Sequence, residues 1–302
     1  MTEAPFYHES VLLHECIANL DIDPDGTYLD ATFGGGGHSK AILSQLSRKG
    51  RLIAFDQDAD AKMNLPSDDR VCFVPENFRY ADRFVRLYEW GPLNGVLADL
   101  GVSSFQFDTP EKGFSIRYDA PLDMRMDRRS PSTAATVLAT YSEAALRELF
   151  ETYGEVTNAK VLASKIVQQR SVSSIKTIDE FKQVISGCVY GNPHKYLAQV
   201  FQALRIEVNE ELEVLKDFLR NITPHLASGA RMCIITFHSL EDRLVKQWMK
   251  QGYFEEEQTN PFAQHQTSSL KVVHKKPIVS SEEEVKRNPR ARSAKLRVAV
   301  KR

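Results

Sequence analysis

A glycine-rich loop and a following acid stand where the chain can bind a nucleoside-containing ligand. Gly34–Gly37 are four consecutive glycines between a short apolar segment and a segment with helical spacing. Glycines let the backbone approach a ligand closely, and a following helix N-terminus offers unpaired N–H groups. Asp56 ends the next apolar segment, 20 residues after Gly36. An acid at that position typically binds ribose hydroxyls, so we predict a nucleoside cofactor.

The residues around the loop distinguish between classes of cofactor. Lys40 comes two residues too late for a nucleoside-triphosphate loop, and position 39 lacks the glycine that dinucleotide spacing requires. Asp30 instead ends the strand before the glycines, where a carboxylate can accept from an ammonium group. This arrangement resembles the S-adenosylmethionine loop of class I methyltransferases. A nicotinamide-dependent oxidoreductase of the same fold class is the alternative.

The elements that position these residues alternate between strand and helix. Predicted strands are 28–32, 51–55, 71–74 and 95–100, and predicted helices are 8–20, 38–46, 59–64 and 78–90. Strands alternating with helices at this spacing imply a parallel, doubly wound sheet, and therefore an α/β fold.

This alternation stops after the fourth strand. Residues 109–129 are polar and rich in turns, and helical periodicity then recurs over 142–152, 155–170, 177–189 and 195–222. An apolar, β-branched segment resumes at 232–237. We therefore predict an α/β domain in two parts, 1–108 and 227–302, around an inserted all-helical domain, 109–226, to which we assign a role in substrate recognition.

Composition excludes several classes of protein. Of the 302 residues, 42% are hydrophobic and 26% are charged, which is the balance of a globular protein rather than a disordered one. No apolar run reaches the roughly 18–20 residues that span a bilayer, and no secretion signal is expected at the N-terminus. The four cysteines have no CxxC spacing, so we expect a reduced, cytoplasmic location and no metal site.

The net charge of −1 conceals an uneven distribution. Residues 271–302 carry 11 Lys or Arg against 3 acids, a balance of +8, so the rest of the chain carries −9. A basic C-terminal segment on an acidic body favours a polyanionic partner such as nucleic acid, or is simply a solvated surface. Within it, residues 296–300 alternate and are predicted as an edge strand, whereas the acidic run 282–284 is interpreted as solvated surface.

Further motifs extend the methyltransferase pattern over nearly the whole chain. They are the segments 99–108, 121–126, 201–209, 237–243 and 288–293. With the glycine loop, they resemble the RsmH family, also called MraW, of bacterial methyltransferases that modify small-subunit ribosomal RNA. The resemblance runs from about His8 to Arg297. It implies a Rossmann-like fold with a helical insertion, S-adenosylmethionine as cofactor, and N4-methylation of a cytosine, position 1402, in the decoding region of 16S ribosomal RNA.

The resemblance also implies which residues bind the cofactor. The matching positions are Gly36, Gly37 and His38 in the loop, Asp56 at the ribose, Phe78 at the adenine, and Asp99 and Gln106 at the fourth-strand corner. One segment departs from the family. Where its members commonly have His-Pro-Ala-Thr, this chain has Lys195-Tyr196-Leu197-Ala198, which puts any role of that motif in RNA docking in doubt.

Asp99 is the candidate catalytic residue. The N4 lone pair of cytosine is delocalised into the ring, and an acceptor on the N–H would localise it and hold the amine in line. Asp99 is suitably placed for this, or for contacting the cofactor. Methylation at C5 would need a cysteine nucleophile near Asp99, and the sequence has none there. Nitrogen is therefore the favoured acceptor atom.

Candidate substrate residues lie in three segments. They are Asp123 and Arg125 before the helices, His238 and Arg243 at a helix start, and Arg290 and Arg292 in the basic segment. Arginine pairs bidentately with phosphate, so Arg290, Arg292 and Arg297 are phosphate candidates, whereas His238 and the acids beside it can equally stabilise a helix terminus. Phe105, Phe107 and Phe114 are candidates for stacking on an extruded base, or core residues.

The predicted partner is 16S ribosomal RNA in the small ribosomal subunit, with no membrane association. A third possibility is a non-catalytic RNA-binding or ribosome-assembly protein, which the glycine loop and Asp56 disfavour. The sequence does not distinguish a monomer from a homodimer.

Overall fold

The computed structural model describes residues 10–255 and 268–302. It contains two compact units: a sheet unit, Met1–Gly101 with Leu212–Arg302, and a helical unit, Val102–Glu211. The predicted inserted domain, 109–226, begins and ends later in the chain than this helical unit. Within the described residues, no helix combines the length and apolarity needed to span a bilayer.

The sheet unit is organised around one eight-stranded sheet. Its strands are β1 (Thr27–Asp30), β2 (Arg51–Phe55), β3 (Val71–Val74), β4 (Leu93–Asp99), β5 (Leu226–Thr236), β6 (Leu270–Val272), β7 (Ile278–Val279) and β8 (Lys295–Lys301). The strand order is β3-β2-β1-β4-β5-β8-β6, with β7 also paired to β8. The first five strands are parallel, which confirms the predicted doubly wound arrangement.

The strand order reverses direction between β1 and β4. The chain passes from β1 outward to β2 and β3, then returns to the other side of β1 as β4. In open α/β sheets, ligands bind outside the carboxyl ends of the strands at such a reversal. Asp30 and Asp99 are the last residues of these two strands, so both lie at this position.

The predicted C-terminal strand is present but is not an edge. β8 pairs antiparallel with β5 on one side and with β6 and β7 on the other. Leu296, Val298 and Ala299 are buried, so this strand completes the core rather than trailing as a tail.

Helices cover the sheet. Those of the sheet unit are α1 (Leu13–Leu20), α2 (Gly37–Gln45), α3 (Ala81–Leu87), α10 (Glu211–Ile222), α11 (Ser239–Gln251) and α12 (Glu282–Arg287). One apolar cluster joins α10 and α11 to the sheet through Phe218, Ile222 and Trp248. Another joins α1 and α2 through Cys16 and Ile42. Full burial of side chains of this size stabilises by about 1.5–3 kcal/mol each.

Three predicted helices have different bounds. Of the helix predicted over 8–20, residues 8 and 9 lie outside the described part of the chain. From residue 10 onward, the helix begins at Leu13, because Leu12 has a left-handed backbone (φ 52°). The helix predicted over 78–90 is a 3₁₀ turn, Phe78–Tyr80, followed by α3. The single helix predicted over 195–222 is two helices, because Glu210 has a φ of 49° and interrupts the helical path.

The helical unit has its own core. Its helices are α4 (Ser104–Asp108), α5 (Ala134–Thr140), α6 (Glu143–Thr152), α7 (Ala159–Arg170), α8 (Ile178–Ile185) and α9 (Pro193–Asn209). All of residues 102–211 are described, and they contain no strand, only an isolated bridge between Pro121 and Thr177. Capping boxes at Thr133 and Thr177 satisfy the first N–H groups of α5 and α8. The predicted all-helical character of the insertion is confirmed.

Candidate active site

Two positions of the glycine loop leave no room for a side chain, and a third is open. Gly36 has a φ of +75°, and a Cβ there would lie 2.9 Å from the Phe33 ring. A Cβ at Gly37 would lie 2.0 Å from Ser10 Oγ, whereas one at Gly35 would meet nothing within 4 Å. The loop is therefore closely packed on two sides and open at Gly35. Gly37 begins α2, so the free N–H groups of its first turn adjoin the loop.

Asp56 holds the loop from the end of β2. Its two carboxylate oxygens accept hydrogen bonds from Gly34 N (2.7 Å) and Asp58 N (2.8 Å). The Asn64 side chain donates to Gly34 O at 3.0 Å from the far side of the turn. Each carboxylate oxygen can accept a second bond, so Asp56 keeps the capacity to bind a ribose hydroxyl.

Asp30 is fully buried and braces the start of the loop. Its carboxylate accepts from Ser39 Oγ (2.6 Å) and from Thr32 N (3.1 Å). The Thr32 hydroxyl oxygen in turn accepts from Asp99 N at 2.6 Å. Asp30 thus links β1, the loop and α2, and Thr32 extends this link to the end of β4.

Asp99 carries an unpaired buried oxygen. Among the described residues, no group hydrogen-bonds to its Oδ1, although the side chain as a whole is 24% exposed. Its Oδ2 lies 3.8 Å from His38 Nδ1, and His38 Nε2 lies 3.1 Å from the Val11 carbonyl oxygen. A carbonyl can only accept, so Nε2 carries the proton and neutral His38 presents Nδ1 to Asp99 as an acceptor.

The pKa values of these groups are shifted by burial. Burial raises the pKa of Asp99 to about 8, with further repulsion from Asp30 and Glu241. Burial raises the pKa of Asp30 to about 6 and that of Asp56 to about 6, against hydrogen bonds that lower both. Burial lowers the pKa of His38 to about 4. At neutral pH His38 is therefore neutral, and Asp99 is protonated in most molecules.

The remaining predicted cofactor residues belong to different units. Phe78 lies in the sheet unit, where its half-buried ring makes an edge contact with Phe218 at 5.0 Å between centroids. Gln106 lies in the helical unit, and it forms a capping box with Ser103 at the start of α4. Both side chains therefore have structural partners, and their contacts with a cofactor stay predictions.

Asp123 and Arg125 form an ion pair within the helical unit. Their side chains pair bidentately at 2.8 Å, and Arg125 also donates to the carbonyls of Arg128 and Ser130. Burial pushes the pKa of Asp123 upward, but the Arg125 guanidinium outweighs it and lowers that pKa. Both residues hold the turn that precedes α5, and their proposed contact with RNA stays a prediction.

His238 caps a helix. Its Nδ1 accepts from Glu241 N at 3.5 Å, while Glu241 accepts from Phe237 N at 2.8 Å, so the two side chains close the first turn of α11. These residues therefore do stabilise a helix terminus, and the contacts of His238 and Arg243 with a substrate stay predictions. Arg243, one turn further, is exposed.

The basic residues of the C-terminal segment divide into two kinds. Arg297 pairs bidentately with Asp242 at 2.6 and 2.9 Å and is 10% exposed, so its prediction as a phosphate ligand is wrong. Arg292 is exposed and Arg290 half-buried on the 3₁₀ turn Pro289–Ser293. Of these arginines, Arg292 is the one that is open to a phosphate.

The three aromatic candidates differ in how exposed their rings are. The Phe105 ring is 50% exposed, with Lys112 Nζ 5.1 Å from its centroid. Phe114 is buried and Phe107 packs against the core of the helical unit. Only Phe105 of the three therefore offers an open face for stacking.

Several residues that hold the site had no sequence signal. Thr32 and Ser39 form hydrogen bonds around the loop, and the Val11 carbonyl orients His38. These contacts join side chains and backbone groups from separate elements, so no residue spacing reveals them. The fourfold glycine run predicts close approach of a ligand, whereas at Gly37 it is the protein's own Ser10 that leaves no room for a side chain.

Comparison with known proteins agrees with this architecture. The model of the MraW methylase family matches residues 5–302. "Ribosomal RNA small subunit methyltransferase H" of Bacteroides fragilis is 50% identical over 301 residues, which cover 99% of each chain. The protein of the same name from Flavobacterium johnsoniae is 50% identical over 302 residues, covering both chains completely.

A solved structure gives a more distant similarity. An rRNA methylase from Streptococcus thermophilus is 11% identical, with a TM-score of 0.40, over 100% of this chain and 98% of that one. The family match itself confirms the predicted Rossmann-like methyltransferase fold and the predicted cofactor, S-adenosylmethionine. Because a family model and half-identical relatives both cover nearly the whole chain, the protein belongs to the MraW methylase family.

Proposed function

We propose that this protein transfers the methyl group of S-adenosylmethionine to N4 of a cytosine in 16S ribosomal RNA, position 1402 in the decoding region. The observation that carries the proposal is Asp99 at the end of β4, whose buried Oδ1 has no hydrogen-bond partner among the residues that the structure describes. The similar proteins named for small-subunit ribosomal RNA support the choice of RNA as substrate. The cytoplasm is the proposed location, consistent with four free cysteines.

The proposed cofactor site is the glycine loop with Asp56. The loop offers N–H groups and open space at Gly35, and Asp56 offers acceptors for ribose hydroxyls. Gly36, Gly37, His38, Phe78 and Gln106 complete the proposed set. The cofactor, when bound, supplies an electrophilic methyl group on a sulfonium, and the protein's own task is positioning and exclusion of water.

Asp99 is the proposed acceptor for the cytosine amine. The reactive form is the ionised Asp99, which a pKa of about 8 leaves as a minority at neutral pH. Its carboxylate accepts from the N4–H group, holds the amine in line, and localises its lone pair. Once nitrogen has gained the methyl group it must lose a proton, and Asp99 is the base that takes it. A carboxyl with a pKa of about 8 retains that proton at neutral pH. His38 Nδ1, 3.8 Å from Asp99 Oδ2, provides a further proton acceptor.

The cysteines support nitrogen rather than carbon as the acceptor atom. Methylation at C5 needs a thiolate nucleophile. Burial raises the pKa of all four thiols, and that of Cys233 to about 12. None of them lies in β4 or in the segment 99–108 that follows it. The thiols are therefore protonated at neutral pH, which disfavours covalent attack on a cytosine ring.

The test is a methyl-transfer assay on small ribosomal subunits from cells that lack the endogenous enzyme. Labelled S-adenosylmethionine would be the donor, followed by nucleoside mass spectrometry. We expect N4-methylcytidine, or its 2′-O-methylated form if the ribose is already modified. A methyl group at C5, or on a different base, would contradict the proposal. RNA binding without transfer would favour the non-catalytic alternative.

A further inference from the structure

Three consecutive residues cover the glycine loop. Ser10 lies against Gly37, so closely that a Cβ on the glycine would come within 2.0 Å of its hydroxyl oxygen. The Val11 carbonyl oxygen lies 3.1 Å from His38 Nε2. Leu12 N donates to Glu284 Oε1 at 2.8 Å. Residues 10–12 therefore contact the loop on one side and the C-terminal segment on the other.

The backbone at Leu12 requires support from outside the segment. Its φ of 52° is left-handed, which costs a non-glycine residue about 1–2 kcal/mol. The side chain is fully buried, and Leu12 is the N-cap of α1 without any side-chain cap. Glu284 supplies the acceptor that the Leu12 N–H needs, and its negative charge faces the positive end of α1.

Glu284 is itself held in place. Its N–H donates to Ser281 Oγ at 3.1 Å, the N-cap bond of α12. Glu282 and Glu283 are exposed, whereas Glu284 is half-buried. The interpretation of this acidic run as solvated surface is thus correct for its first two residues and wrong for the third.

We propose that Glu284 is a positioning residue for the cofactor site, acting through residues 10–12. Its bond to Leu12 fixes the segment so that the Val11 carbonyl accepts from His38 Nε2. That acceptor selects the His38 tautomer and directs Nδ1 toward Asp99. Without Glu284, Leu12 relaxes from its left-handed conformation, the Val11 carbonyl moves, and His38 loses its orientation. The proposal rests on the proposed binding of the cofactor at the glycine loop.

The test compares three variants with the wild-type chain. Glu284→Ala removes the acceptor, Glu284→Gln keeps a neutral acceptor, and Glu283→Ala is the matched control one residue away on the same helix. Binding of S-adenosylhomocysteine would be measured by calorimetry, and the His38 ring nitrogens by NMR of ¹⁵N-histidine-labelled protein. Thermal unfolding would establish that each variant is folded.

We expect Glu284→Ala to weaken binding by about tenfold and to shift the His38 signals away from the Nε2–H tautomer. Glu284→Gln should restore most of the affinity and the wild-type tautomer, and Glu283→Ala should change neither. A folded Glu284→Ala with wild-type affinity and unchanged His38 signals would overturn the inference. If the alanine variant does not fold, Glu284→Met, which keeps the side-chain length but lacks the carboxylate acceptor, takes its place, and the same outcome overturns the inference.

A separate variant distinguishes failure of the underlying site. Asp56→Ala should weaken binding of S-adenosylhomocysteine more than Glu284→Ala does, because it removes a proposed direct contact. If Asp56→Ala binds as tightly as the wild type, the proposed cofactor position is wrong, and the role of Glu284 falls with it. If Asp56→Ala loses affinity and Glu284→Ala does not, only the positioning role is wrong.

Discussion

Three aspartates lie at the carboxyl edge of the sheet: Asp30, Asp56 and Asp99. None of them has a lysine or arginine partner among the described residues. In the helical unit, by contrast, Asp123 and Asp127 each pair with an arginine. Burial raises the pKa of each of the three sheet aspartates. The two helical-unit aspartates have lowered pKa values, because their guanidinium partners outweigh burial.

This difference separates two uses of the same side chain. An acid buried without a cation is costly for folding, and such groups concentrate at functional sites. An acid paired with arginine contributes to stability and needs no other purpose. The sheet edge is therefore the favoured place for chemistry, whereas the ion pair indicates a structural role for Asp123 and Arg125 rather than the predicted contact with substrate.

The largest expected effect is on catalysis at the sheet edge. Asp99→Asn should lower kcat/KM for methyl transfer by about a hundredfold or more, because the amide cannot hold the proton of the amine. The free energy of unfolding should not fall, since the variant replaces an unpaired buried carboxyl. Rates on ribosomal subunits and denaturant unfolding measure the two quantities. Asp69→Asn, an exposed acid of the sheet unit, is the control, and near-normal activity of Asp99→Asn would break the comparison.

The next effect is on stability in the helical unit. Arg125→Ala should lower the free energy of unfolding by about 2 kcal/mol, because Asp123 and two backbone carbonyls lose their donor. Calorimetry and denaturant titration provide the measurement, with exposed Arg128→Ala as the matched control. Unchanged stability with a large loss of RNA binding would instead restore Arg125 as a substrate residue.

The pH dependence of stability should differ between the two sets of acids. A carboxyl whose pKa is raised in the folded protein keeps a proton that the same carboxyl has lost in the unfolded chain. The free energy of unfolding therefore falls as pH rises from about 4 toward the folded pKa. Between pH 6 and 8 the loss of stability comes mainly from Asp99, because its pKa is about 8, whereas those of Asp30 and Asp56 are about 6. Relative to Asp99→Asn, the wild type should lose about 1 kcal/mol per pH unit over that interval.

For the arginine-paired acids, the pH dependence of stability has the opposite sign. Their folded pKa values are lowered, so their contribution is present above pH 4 and is lost as pH falls further. Urea unfolding from pH 3 to 8 measures both effects. Parallel curves for the wild type and Asp99→Asn between pH 6 and 8 would show that Asp99 is ionised in the folded protein.

The smallest expected effect is at the surface. Arg292→Ala should weaken binding to ribosomal RNA a few-fold and reduce the salt dependence of binding by about one ion. Lys49→Ala is the control, because Lys49 is exposed and stands just before β2, at the amino ends of the parallel strands. Equal effects of the two variants would indicate general charge attraction rather than a contact at Arg292.

Local patterns in the sequence determined the frame of the site. The glycine run, the strand before it and the helix after it occupy 27–45, and Asp30, Asp56 and Asp99 end or follow parallel strands as expected. Hydrophobic periodicity and backbone preferences act over a few residues, so they can be read without knowledge of the fold. The helical insertion was predictable for the same reason.

Contacts between distant segments required the tertiary structure. The helix predicted over 195–222 is divided between two units, because α10 buries Leu215, Phe218 and Leu219 in the core of the sheet unit. β8 lies inside the sheet, Arg297 pairs with Asp242, and Glu284 reaches Leu12 across 272 residues. The sequence by itself determined which residue types stand at the strand ends. Which of them are paired, protonated or held in place depended on partners that only folding brings together.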